Sequence, residues 1–91
     1  MSDRFRRVLE LWISEMWKSD FKTISRIDEI LVDDNTINNI GADSLDEVSL
    51  IMDIEKEYGI QISDEEANDI NFRNMALKEL CEYVESKKLK I

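Results

Sequence analysis

The eight residues Gly41-Ala42-Asp43-Ser44-Leu45-Asp46-Glu47-Val48 join a glycine turn to the start of an amphipathic segment. Its apolar spacing predicts a helix from Ser44 to Tyr58, and Gly59 is a natural stop. Ser44 therefore stands at the beginning of a helix. The chain contains no histidine, so it lacks the imidazole base that usually makes a serine nucleophilic. A serine in this position points to an attachment site rather than to a catalytic residue.

The helix predicted from Ser44 to Tyr58 has more apolar surface than a single core contact requires. At 100° per residue, one apolar face is predicted to pack on the core and consists of Leu50, Ile51, Ile54 and Tyr58. A second apolar stripe lies beside Asp46 and consists of Leu45, Val48 and Met52. Two interpretations of this stripe stay open. Either it packs against the long loop that precedes the helix, or it is an exposed docking strip rimmed by acidic residues.

A first helix is predicted near the N-terminus, with Ser2 or Asp3 as its N-cap. Its apolar residues recur at helical spacing and are Phe5, Val8, Leu9, Trp12, Ile13 and Met16. Lys18 and Lys22 stand where the C-terminal end of a helix favours positive charge. Trp12 and Trp17 are expected to pack in the core or against the loop.

The residues from Ser19 to Asp43 are predicted to form a long connection. Four apolar residues within Thr23–Leu31 share one helical face, which indicates a short helix there. The stretch Asp33–Asn39 is polar and rich in turn formers, and Ile37 and Ile40 are expected to anchor it to the core. An EF-hand interpretation of this stretch fails, because neither of its two registers places glycine sixth and glutamate twelfth.

Two further helices are predicted in the C-terminal third of the chain. The run Ser63–Glu66 is a capping-box pattern that opens a short helix through Ile70. Asn71 or Asn74 is predicted to cap the last helix, which ends at about Lys87. The chain has no proline and its apolar residues follow helical spacing, so the pattern indicates helices rather than a sheet.

Composition narrows the possible partners. The net charge is −9, and residues 28–85 alone hold 17 acidic residues against three basic ones. Such a surface repels phosphate backbones, so nucleic acid is a poor partner and basic protein surfaces are expected instead. No run of 18 apolar residues is present, so no membrane span is predicted.

Length and cysteine content indicate how many domains the chain forms and which cellular compartment it fits. The 91 residues are expected to form one domain, residues 1–91. Acidic residues within the first 18 positions argue against a targeting peptide, so the N-terminus is predicted to belong to the fold. The single cysteine, Cys81, excludes an internal disulfide and fits a cytoplasmic location. On the apolar face of the last helix it is expected to be an inert, packed thiol.

The motif Gly41–Asp46 resembles, without a mismatch, the attachment motif of acyl carrier proteins of the fatty-acid and polyketide type. The resemblance extends from about Ile30 to Tyr58 and, more loosely, to Ile70. It implies an all-α fold, a small four-helix bundle with a long first loop and a short third helix. It also implies a single acyl-carrier domain that is not an enzyme.

The resemblance implies a prosthetic group and a set of partners. Ser44 would receive 4′-phosphopantetheine from coenzyme A through a separate phosphopantetheinyl transferase, and the thiol of that arm would hold acyl groups as thioesters. Basic docking patches on enzymes of acyl-chain synthesis and transfer would then contact the helix after Ser44. The implied recognition residues are Asp43, Leu45, Asp46, Glu47, Val48, Met52 and Glu55. A monomer without a bound metal is expected.

The chain departs from the family pattern at several positions. Asn38-Asn39-Ile40 replaces the usual acidic pair and leucine before the motif, and Ser49 and Lys56 stand where acids are common. These departures weaken the case for a housekeeping fatty-acid carrier and leave a specialised carrier with its own enzyme set open. Two alternatives remain open. One is a peptidyl or aminoacyl carrier, against which Ala42-Asp43 argues; the other is an unmodified acidic helical adaptor that binds a basic protein.

Overall fold

The computed structural model describes residues 1–17 and 26–89. Over these ranges the chain forms six α-helices and one 3₁₀ turn: α1 (Asp3–Met16), α2 (Ile27–Ile30), α3 (Ile37–Ile40), α4 (Ser44–Tyr58), α5 (Asp64–Asp69), the 3₁₀ turn (Phe72–Asn74) and α6 (Leu77–Leu89). The predicted all-α fold is confirmed. The long helices α1, α4 and α6 and the short α5 form the bundle, while α2 and α3 lie within the long first loop.

The core lies where α4 packs against α1 and α6. The face of α4 that was predicted to be buried, consisting of Leu50, Ile51, Ile54 and Tyr58, is buried. The predicted apolar face of α1 is buried from Phe5 to Ile13, and Met16 is half-buried. Cys81 is a free, buried thiol on α6, as predicted. No helix in the described part of the chain is both long and apolar enough to cross a membrane.

Helix ends predicted from single polar residues or glycine are confirmed at three places. The Ser2 hydroxyl accepts a hydrogen bond from the Phe5 amide at 3.2 Å and caps α1. The Ser63 hydroxyl accepts from the Glu66 amide at 3.1 Å and caps α5. Gly59 ends α4 in the left-handed conformation with φ of 66°. In each case the decisive contact is local, so the sequence carries the signal.

The polar loop predicted at Asp33–Asn39 is partly helical. Thr36 caps α3 by accepting a hydrogen bond from the Asn39 amide at 3.1 Å, and Gly41 ends this single turn with φ of 92°. Ile37 is fully buried, as predicted, and Ile40 is half-buried against the core. The two asparagines between them favour turns in isolation, whereas the two caps and the buried Ile37 favour a helical turn here.

The prediction that Asn71 or Asn74 caps the last helix is wrong. Asn71 adopts the left-handed conformation with φ of 56° and precedes the 3₁₀ turn, and α6 begins only at Leu77. The amide of Leu77 donates to the Asn35 carbonyl at 2.8 Å, and the amide of Lys78 donates to the Asp33 carbonyl at 3.0 Å. Backbone oxygens of the long loop therefore satisfy amides that an N-cap side chain would otherwise serve.

The predicted short helix within Thr23–Leu31 is confirmed in part. Helix α2 covers Ile27–Ile30, whereas the start of that prediction lies outside the described residues. The same holds for the predicted positions of Lys18, Ser19 and Lys22.

A polar cluster joins three helices at one end of the bundle. The Ser2 hydroxyl donates to Glu85 at 2.6 Å, and the Tyr58 hydroxyl donates to the same carboxylate oxygen at 3.0 Å. The hydrogen bond from Ser2 is the main reason that the pKa of Glu85 is lowered. Burial raises the pKa of Tyr58 to about 12, so this phenol remains a hydrogen-bond donor at neutral pH. The cluster fixes α1 and α6 against the C-terminal end of α4.

Candidate functional site

The start of α4 is fixed by Asp43 rather than by Ser44. The Asp43 carboxylate accepts a hydrogen bond from the Asp46 amide at 2.9 Å, and the Asp46 carboxylate accepts from the Asp43 amide at 3.2 Å. This reciprocal pair is a capping box built from two aspartates. Ser44 is the first helical residue and so does not itself cap the helix with Glu47 as the second member of a box.

Ser44 is thereby left exposed at the first helical position. Because the Asp43 side chain performs the capping, the Ser44 hydroxyl is not required for it. The first amides of a helix lack partners within the helix, and the helix dipole favours an anion beside them. An exposed hydroxyl next to these amides, on a helix of 15 residues, fits the attachment of a phosphate ester.

The second apolar stripe of α4 is exposed to solvent. The exposed fractions of Leu45, Val48 and Met52 are 78%, 48% and 60%. This exposure favours the docking-strip interpretation over packing against the long loop. The three side chains follow Ser44 along one side of α4, and we refer to them below as the docking strip.

Several acids that were predicted to recognise partners also make contacts within the chain. Asp46 belongs to the capping box. Glu47 is only 18% exposed, and its carboxylate lies 3.5 Å from the Arg73 guanidinium. Glu55 accepts a hydrogen bond from the Ile62 amide at 2.8 Å and so holds the link that follows α4. Asp43 is exposed beside Ser44, whereas Glu55 lies eleven residues on, roughly 16 Å along the helix axis.

Arg73 is a residue at this site that the sequence pattern does not predict. From the 3₁₀ turn its Nη2 atom donates to the Ala42 carbonyl, and its Nη1 atom pairs with Glu47. Arg73 therefore contacts residues on both sides of Ser44. The available signal was its charge, since Arg73 is one of only three basic residues between positions 28 and 85.

Trp12, which lies on α1, supports the first turn of α4. Its indole is buried, and its Nε1 atom donates to the Asp46 carbonyl at 2.9 Å. Packing in the core, as predicted for Trp12, is confirmed, and Trp17 is half-buried against the same core. The contact fixes the start of α4 relative to α1.

Comparisons with known proteins bear on this site. The family model described as "Phosphopantetheine attachment site" matches residues 11–84. Curated relatives named "Acyl carrier protein", from Buchnera aphidicola subsp. Acyrthosiphon pisum strains 5A, Tuc7 and APS, are each 43% identical over 63 residues. These matches cover 69% of this chain and 74% of each relative. No solved structure matches the chain. The chain therefore belongs to the acyl carrier proteins, whose prosthetic group is covalently attached 4′-phosphopantetheine.

Proposed function

We propose that this chain is an acyl carrier protein, folded as one domain, in which Ser44 bears the prosthetic group. The observation that carries the proposal is the exposed Ser44 hydroxyl at the start of α4, with capping performed by Asp43 instead. When bound, 4′-phosphopantetheine supplies a terminal thiol that holds an acyl group as a thioester. The chain itself carries cargo and performs no catalysis.

The residues around Ser44 have separable roles in this proposal. The Asp43–Asp46 box fixes where the helix begins and hence where the hydroxyl lies. The amides of the first turn stabilise the negative charge of a phosphate. The carboxylates of Asp43 and Asp46 oppose that charge. We therefore assign them a second role in steering basic partner surfaces toward Ser44.

The proposed partners are a phosphopantetheinyl transferase and enzymes of fatty-acid or polyketide-type synthesis with basic docking patches. The docking strip provides apolar contact area, and the neighbouring acids provide charge complementarity. The departures at Asn38-Asn39 and Ser49 support a specialised pathway. A cytoplasmic location stays a prediction from the single thiol.

Intact mass measurement tests the proposal directly. The apo protein is incubated with coenzyme A, Mg²⁺ and a broad-specificity phosphopantetheinyl transferase, and we expect a mass gain of one phosphopantetheine group. The exposed docking strip would serve an unmodified adaptor equally well. An unchanged mass would therefore overturn the carrier proposal and favour the adaptor.

We expect a charge in the docking strip to impair partner binding without unfolding the protein. Val48→Asp or Met52→Asp should lower the transferase kcat/KM by about tenfold or more, since truncation of a central interface side chain costs about 1.4 kcal/mol or more. The thermal midpoint should change little, because both side chains are exposed. Leu89→Asp is the matched control, since Leu89 is also exposed but lies on α6. Equal losses in all three variants would contradict the docking strip.

We expect neutralisation of two acids on α4 to weaken docking mainly at low salt. Asp46→Asn and Glu55→Gln keep an oxygen that accepts the hydrogen bonds of Asp43 and Ile62, so only the charge is removed. The transferase kcat/KM should fall about threefold to tenfold at low ionic strength and by less at about 0.5 M salt. Glu65→Gln, an exposed acid on α5, is the control. A loss independent of salt would argue against steering by these acids.

A further inference from the structure

We propose that Arg73 is the cationic partner of the phosphate that Ser44 receives. The inference rests on the proposed attachment at Ser44 and adds a positioning residue to it. Arg73 lies in the 3₁₀ turn, about thirty residues after Ser44 in the sequence. Its side chain reaches the start of α4 through contacts with Ala42 and Glu47.

The contacts of Arg73 place its guanidinium at the helical face that carries Ser44. Ala42 precedes Ser44 by two residues, and Glu47 follows it by three. Residues three apart on a helix are neighbours, with Cβ atoms about 5–6 Å apart. The guanidinium that contacts Ala42 and pairs with Glu47 therefore lies within about one helical turn of Ser44.

The local charge explains why a cation is needed there. Three carboxylates, those of Asp43, Asp46 and Glu47, surround Ser44 in the sequence of the first turn. A phosphodiester adds another negative charge among them, and like charges at this spacing repel each other. Within residues 1–17 and 26–89, Arg73 is the basic side chain that forms an ion pair with an acid of this turn.

The geometry allows Arg73 to change partners without leaving the turn. Its Nη2 atom donates to the Ala42 carbonyl, which anchors the guanidinium. Its Nη1 atom is 3.5 Å from Glu47, longer than a charge-assisted hydrogen bond. A guanidinium has five N–H donors. A phosphate oxygen can therefore replace the Glu47 carboxylate as a partner of Arg73 while the hydrogen bond to the Ala42 carbonyl is kept.

A purely structural role for Arg73 makes a different prediction. If Arg73 only ties the 3₁₀ turn to α4, its removal destabilises the unmodified and the modified protein equally. If it pairs with the phosphate, its removal destabilises the modified protein more. The decisive quantity is the modification shift, which is the thermal midpoint of the modified protein minus that of the apo protein.

The test compares modification shifts after intact mass has confirmed loading. Arg73→Met and Arg73→Gln should each lower the shift by about 2–4 °C relative to wild type. Glu47→Gln should raise it, because it removes a repelling charge and frees Arg73. Lys56→Met is the matched control; it removes one positive charge near the other end of α4, roughly 18 Å from Ser44, and should leave the shift unchanged.

Phosphorus NMR of the modified proteins gives a second readout. The phosphodiester resonance should move in both Arg73 variants and keep its wild-type position in Lys56→Met. Equal destabilisation of both forms together with an unmoved resonance would overturn the assignment of Arg73 and leave the carrier function intact. No mass gain in the wild-type protein would instead overturn attachment at Ser44, and the role of Arg73 with it.

Discussion

A Ser44→Ala variant is expected to gain no mass from coenzyme A and a phosphopantetheinyl transferase, whereas the wild-type protein gains one group. The substitution removes the hydroxyl that forms the phosphodiester. It should leave the fold intact, because Ser44 is exposed and Asp43 caps the helix. We expect the free energy of unfolding to change by less than about 0.5 kcal/mol. Intact mass and thermal unfolding of the same sample measure both quantities.

Two other serines provide controls for this prediction. Ser63 also stands at the start of a helix, but its hydroxyl accepts a hydrogen bond from the Glu66 amide. Ser63→Ala should therefore cost about 1 kcal/mol of stability and still gain the full mass. Ser49→Ala removes an exposed hydroxyl from α4 itself and should also load like wild type. A mass gain in Ser44→Ala equal to that of wild type would place the attachment elsewhere.

The second large effect is expected from Trp12. Trp12→Ala should lower the free energy of unfolding by about 3–5 kcal/mol, because a buried aromatic side chain is replaced by a cavity. A domain of this size has a total stability of roughly 5–14 kcal/mol, so the variant should be close to unfolding. The loss arises at the contact between α1 and α4. Urea denaturation followed by circular dichroism measures it.

Matched tryptophan variants separate cavity formation from the loss of a hydrogen bond. Trp12→Phe keeps most of the ring but cannot donate to the Asp46 carbonyl, and should cost less than Trp12→Ala. Trp17→Ala truncates the same residue type at a half-buried position and should also cost less. If Trp17→Ala were as destabilising as Trp12→Ala, the special role of Trp12 at the α4 start would be refuted.

Local signals in the sequence were sufficient to predict the bounds of α4 and its exposed apolar surface. Its bounds, Ser44 and Tyr58, follow from apolar spacing and Gly59, and both agree with the structure. The division of its apolar residues into two faces also agrees, since Leu50 is buried and Leu45 is exposed. These features depend on contacts within a few residues or on simple helical periodicity, which the sequence displays directly.

Contacts between distant segments could not be derived in the same way. The start of α6 depends on carbonyl groups of Asp33 and Asn35, and no residue next to Leu77 records this. The position of Arg73 depends on how the 3₁₀ turn packs beside α3 and on the contacts that its side chain makes with Ala42 and Glu47. Which residue caps α4 depends on local contacts only. Asp43 and Ser44 are adjacent and both residue types favour the N-cap position, so the sequence does not distinguish between them.

The link between the long loop and α6 has a consequence for the order of folding. The backbone amides in the first turn of α6 lack hydrogen-bond acceptors until the carbonyl groups of Asp33 and Asn35 have reached their final positions. This turn and the loop are therefore expected to form in one step. Since the step joins segments far apart in the chain, loop-closure entropy slows it. We therefore expect closure of this loop, on the far side of the motif from α6, to contribute to the rate at which the chain becomes fully folded.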